Sequence, residues 1–118
     1  MSKMYNDVCV FMRACDQGIS EETAKLYFNL IKEEYQELMD ANIADDEIER
    51  LDACMDLIWV ILGYCKAKGY DVSGAWEEVY RSNISKIDPE IGKVKKNEQG
   101  KVMKPNGWTP PDLKRFVK

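Results

Sequence analysis

Apolar positions recur three or four residues apart along most of the chain, the period of an amphipathic helix. Val8, Phe11, Met12 and Cys15 keep this spacing, so a first helix is expected from about Lys3 to Asp16, ended by Gly18. Ser20 stands where an N-cap belongs and Glu21 and Glu22 follow in the first turn, so a second helix is expected from Glu21 to Ala41. After a break near Asn42, a third helix should run from about Asp45 to Lys68, where Gly69 suits a C-terminal stop. It is apolar nearly all round from Leu57 to Leu62, which marks it as the central helix. Ser73 is read as the cap of a fourth helix reaching about Ile87, stopped by Asp88-Pro89. Short links between these segments favour antiparallel neighbours. The expectation is an all-α, antiparallel four-helix bundle over residues 1–90.

Residues 91–118 change character. Gly92, Gly100 and Gly107 alternate with Pro105, Pro110, Pro111 and several lysines. Asn97-Glu98-Gln99-Gly100 can turn a short hairpin between Lys93–Lys96 and Lys101–Lys104. This basic, irregular tail is read either as a solvated arm or as a flap over a ligand or a neighbouring subunit.

The informative signal is acid on apolar faces. On a helical wheel with Leu26 at zero, the apolar residues of the second helix fill an arc of about 220°. Glu34 falls at about 80° and Glu37 at about 20°, inside that arc, while Glu33 falls just outside it. In the third helix Glu49, Asp52 and Asp56 lie within about 60° of one another. Unpartnered buried carboxylates are costly and repel one another. Mg²⁺, a hard cation that takes oxygen ligands, would resolve both problems. Two helices that each supply carboxylates a turn apart are a suitable frame for it. Asp45, Asp46 and Glu47 fit better as acids at a helix N-terminus.

Composition narrows the chemistry. The 118 residues suit one domain, and a chain of this size gains from burial through self-association. A net charge of -4 argues against a general nucleic-acid binder. The absence of histidine removes the Ser-His-Asp triad, the Cys-His dyad and His-ligated zinc. Cys9, Cys15, Cys54 and Cys65 lack metal-type spacing, and reduced thiols suit the cytoplasm. The N-terminus carries no signal-peptide pattern, and the longest apolar run, Leu57 to Cys65, is too short to span a bilayer. No membrane or nucleic-acid partner is expected.

Three motifs in order resemble the MazG-like and phosphoribosyl-ATP pyrophosphohydrolase-like superfamily. Lys32-Glu33-Glu34-Tyr35-Gln36-Glu37-Leu38 is similar to its EExxE motif. Glu49 to Val60 resembles the second motif, an acidic pair ahead of an apolar run. Tyr80-Arg81-Ser82-Asn83-Ile84-Ser85-Lys86 resembles the fourth-helix segment ending in Asn-x-x-Lys. The ending from Gly100 to Leu113 is similar to that of small phage and bacterial members.

The resemblance implies an all-α bundle, homodimeric or homotetrameric, that hydrolyses a nucleoside triphosphate to the monophosphate and pyrophosphate. It implies Mg²⁺ as cofactor, often replaceable by Mn²⁺, with ligands at Glu34, Glu37 and Asp56. The usual second motif is ExxD, but Ala53 stands three residues before Asp56. Either Asp52 or Glu49 could complete the ligand set. Glu33 or Glu37 would orient or deprotonate the attacking water. Asn83 and Lys86, with Arg81 and Tyr80, would contact the phosphates or sugar. Phe11, Phe28, Trp59 and Trp76 are candidates for stacking on the base or, more plainly, for core. The same carboxylates would serve phosphoribosyl-ATP hydrolysis. A non-catalytic helical module with an acidic docking face is the contrasting reading.

Overall fold

A computed structural model describes residues 2–117 and is all-α apart from one small hairpin. Four helices, α1 (Ser2–Ala14), α2 (Glu21–Ala44), α3 (Glu47–Lys68) and α4 (Val72–Ile84), precede β1 (Ile87–Asp88), β2 (Lys93–Val94) and a single 3-10 turn at Lys114–Phe116. The helical bundle expected from periodicity is present, and α3 is its centre, packing on α1, α2 and α4.

The helix ends depart from expectation where local chemistry offers more than one stop. α1 ends at Ala14, before Gly18, because Asp16 itself takes the left-handed conformation. α2 runs past Asn42 to Ala44, and Asp45, also left-handed, caps it. Asp46 then caps α3 by accepting the Glu49 N–H at 3.1 Å. Asp71, not Ser73, caps α4: its carboxylate accepts the Gly74 N–H at 3.0 Å. α4 stops at Ile84, three residues before the expected end, and the chain turns there into β1. β1 pairs with β2 in an antiparallel register of Ile87 with Val94. Of the hairpin expected between Lys93–Lys96 and Lys101–Lys104, one bridge forms, Lys96 with Val102.

The turn between α2 and α3 is braced by Arg50, whose guanidinium donates to Asn42, Asp45 and Glu47. From that turn the two helices run back along each other. Tyr27 on α2 meets Gly63 on α3 so closely that a Cβ at Gly63 would lie 2.2 Å from the ring. The ring is held in place, since its hydroxyl donates to Gln17 Oε1 at 2.7 Å. Glycine in mid-helix costs about 1 kcal/mol relative to alanine; here the space it leaves lets an aromatic ring seat between the backbones. Val8 and Met12 of α1, each 1% exposed, complete this end of the core with Ala24, Val60 and Leu62.

From Trp108 to Phe116 the tail is fastened to the helices. It runs back along α4, antiparallel to it. Trp108 donates its indole N–H to the Ser82 carbonyl at 2.9 Å, and Ser82 donates its hydroxyl to the Thr109 carbonyl at 3.1 Å. Farther along, the Asp112 N–H donates to Glu78 at 2.7 Å, and the Asp71 N–H donates to the Phe116 carbonyl at 2.9 Å. Gly74 lets the Phe116 ring approach α4; a Cβ there would lie 2.4 Å from it.

Candidate active site

The pairing of Tyr27 with Gly63 fixes the register of α2 against α3. Two turns nearer the α2–α3 connection on each helix, the same register sets Glu34 opposite Asp56. Glu34 occupies the buried arc of α2 shared by Thr23, Tyr27 and Ala41. Asp56 occupies the arc of α3 shared by Ala53, Val60 and Gly63. The acid that the wheel placed among apolar positions therefore sits where the two helices meet.

Glu34 Oε2 is buried and has no hydrogen-bond partner. Burial, followed by the neighbouring Glu37 and Asp56 carboxylates, pushes the Glu34 carboxyl up to about 7. An orphaned buried carboxylate oxygen pressed by two others is the reverse of what a stable core selects. Carboxylate oxygens are the donor type that hard divalent cations take. Glu34, Glu37 and Asp56 thus fit a hard divalent cation by donor type and by an unmet need for positive charge. Among the described residues, no three His, Cys, Asp or Glu side chains are closed into a cation cage; these three approach one another without forming one.

The remaining acids stand outside this junction. Glu33, Glu49 and Asp52 are exposed, and none is among the groups acting on Glu34. Ala53 is buried at 4% exposure on the stripe leading to Asp56, so that position adds no carboxylate.

Asn83 and Lys86 lie together at the end of α4, with the Lys86 ammonium donating to Asn83 Oδ1 at 3.1 Å. α4 touches α3 at few points and has no substantial contact with α2, so one chain does not by itself bring this pair against the carboxylates. Arg81 grips Glu78 through two nitrogens at 3.0 and 2.9 Å and also reaches the Pro110 carbonyl, so it fastens the tail. Tyr80 is exposed. Among the stacking candidates, Phe11 and Trp59 pack edge to face at 5.7 Å, while Phe28 lies under the Lys32 ammonium and Trp76 lines an apolar cleft.

Sequence reasoning missed Gly63, whose importance depends on a tyrosine far away in the chain. It also missed Trp108 and Glu78, which lie outside the helical motifs or look like ordinary surface.

Residues 13–83 match the family model of phosphoribosyl-ATP pyrophosphohydrolase. The chain belongs to this family. The matched span contains Glu34, Glu37 and Asp56 and ends at Asn83. As a member of the phosphoribosyl-ATP pyrophosphohydrolase family, the protein is a hydrolase of phosphoric anhydride bonds. Enzymes of this kind act on nucleotides and generally use divalent metal ions. No curated protein matches the chain at a significant level. Among the described residues, no helix is long and apolar enough to cross a membrane.

Proposed function

We propose that the protein is a divalent-cation-dependent nucleoside triphosphate pyrophosphohydrolase, converting NTP or dNTP and water to the monophosphate and pyrophosphate. The observation that carries this reading is the unpartnered, buried Glu34 Oε2 between Glu37 and Asp56. Those three residues would hold Mg²⁺, or Mn²⁺ in its place, with Asp52 or Glu49 as a further oxygen donor at the rim. When bound, the ion would acidify a water and offset the charge of the triphosphate. Glu37 or the exposed Glu33 would orient the attacking water and accept its proton. Asn83 and Lys86 would hold phosphate oxygens by hydrogen bond and charge, and stabilise the leaving pyrophosphate.

A homodimer or homotetramer accounts for two further features. The radius of gyration is 17.5 Å, whereas about 13–14 Å is expected for a compact chain of this length. Exposed Ile58 and Ile61 on α3 and exposed Trp76 on α4 line an apolar cleft of about 430 Å³. A second copy on this face would bury it and could bring the end of α4 to the carboxylates of its neighbour.

The family match favours a second substrate, phosphoribosyl-ATP, for the same carboxylates. The deciding assay measures pyrophosphate release from ribo- and deoxyribonucleoside triphosphates and from phosphoribosyl-ATP, with Mg²⁺, Mn²⁺ or chelator. Metal-dependent release is expected, and the ranking names the substrate. Glu37→Ala should lower the rate by about three orders of magnitude or more while helical circular dichroism persists. No release from any nucleotide, with a thermal midpoint indifferent to Mg²⁺, would reject the reading.

A further inference from the structure

At the end of α4 a pocket of about 410 Å³ opens between the helix terminus, the β1–β2 turn and the tail. Lys86, two residues past the end of α4, and Lys104, from the tail, both line it. Their ammoniums stand 5.4 and 4.6 Å from the centre of one indole ring, that of Trp108. The ring is oriented by its N–H bond to the Ser82 carbonyl, and Ser82 is 1% exposed. The indole face attracts cations and so gathers the two lysines. They can be no farther apart than their two distances from the ring centre taken together, a span that one polyphosphate can bridge.

Neither lysine has a carboxylate within 4.0 Å among the described residues. The acids of the pocket leave them available. Asp88 is engaged by Lys95 at 3.1 Å and by the Glu90 N–H at 2.8 Å, which leaves Glu90 as the one acid against Lys86 and Lys104. Lys86 also donates to the neutral Asn83 Oδ1, a bond that leaves its charge uncompensated.

We infer that this pocket is a polyphosphate subsite in which Lys104, carried by the tail, joins Lys86 in holding the phosphates of the nucleotide, with Trp108 positioning both. The tail then belongs to substrate binding: its clasp along α4 sets where Lys104 stands. This inference rests on the pyrophosphohydrolase reading for the identity of the ligand, but its test does not depend on hydrolysis.

The probe is inorganic pyrophosphate in the presence of chelator, with binding measured by calorimetry on the full chain. The wild type should bind it, and Trp108→Phe should remove the accompanying change in tryptophan emission. Lys104→Gln should weaken binding about tenfold, Lys104→Arg should retain it, and Lys101→Gln, on the exposed turn, should leave it unchanged. Glu37→Ala should lose hydrolysis and keep pyrophosphate binding, which separates this site from the carboxylates. A triphosphate analogue with a methylene bridge between the α and β phosphorus atoms should displace pyrophosphate. Failure of displacement would overturn the assignment to substrate. Unchanged affinity in Lys104→Gln, or inorganic phosphate binding as tightly as pyrophosphate, would overturn the two-lysine polyphosphate site.

Discussion

Two regions of the molecule treat a glutamate in opposite ways. Along the α2–α3 pair, half-buried Glu34 stands beside two other carboxylates, lacks a partner for its buried Oε2, and is pushed up to about 7. Along α4, Glu78 is only 12% exposed in its side chain, yet it accepts from Arg81 and from the Asp112 N–H and is pulled down to about 2. In the α4–tail clasp the enclosed carboxylate is answered within the chain, by Arg81 and by the Asp112 N–H. The α2–α3 junction is well packed at Tyr27 and Gly63 and electrostatically incomplete two turns away. The contrast lies in the partners: the clasp gives its glutamate a cation and an N–H, whereas the α2–α3 junction gives its glutamate two more carboxylates.

The largest expected effect comes from spoiling the packing that sets the register. Gly63→Ala would drive a methyl into the Tyr27 ring, which Gln17 holds from its far side. Overpacking of this kind costs about 1–3 kcal/mol, and thermal melting should show it. Tyr27→Leu combined with Gly63→Ala should recover part of the loss. A neutral Gly63→Ala would mean that the ring does not fix the pairing of Glu34 with Asp56.

A smaller effect should appear in the pH dependence of the metal-free protein. The folded pKa of Glu34, about 7, lies above its ordinary value of 4.5. The folded state therefore holds the proton in a window where the unfolded chain has released it, and stability falls as pH rises from 4.5 to 7. In chelator, the melting temperature of the wild type relative to Glu34→Gln should decline across that window and level off above it. A constant difference between the two proteins would remove the electrostatic conflict from the α2–α3 junction.

The smallest effect concerns the clasp, and its sign is reversed. Glu78 is depressed from 4.5 to about 2, so its contribution is complete above 4.5 and is lost as pH falls toward 2. Glu78→Gln should melt below the wild type at neutral pH, and the two should converge near pH 2. Limited proteolysis at neutral pH should cut the tail faster in the variant. Equal cutting rates would show that Glu78 does not fasten the tail.

The four helices were legible because each has a long apolar stripe at one period. The acid at position 34 was legible for the same reason: it interrupts such a stripe. Gly63 was not, because a glycine inside an apolar run becomes meaningful only when Tyr27 is set opposite it. The cap of α4 was ambiguous by chemistry, since Asp71 and Ser73 are both good caps and only the backbone decides between them. The course of the tail left no periodic trace. It is fastened by carbonyl oxygens at Thr109, Pro110 and Phe116, which every residue type possesses. Arg81, placed by motif among the substrate contacts, is bonded to Glu78 and to the Pro110 carbonyl, partners that no local pattern announces.

The tight turn at Asp45 and Asp46, braced by Arg50, has a consequence for the order in which the chain assembles. Contacts between helices joined by so short a link are close in sequence, and such contacts form fast. The clasp, by contrast, joins Ser82 to Trp108 and Glu78 to Asp112, and these loops cannot close until residues 108–112 are free. During synthesis the α2–α3 pair can form while the tail is still inside the ribosome. The carboxylate junction would thus be in place before the pocket at the end of α4 exists.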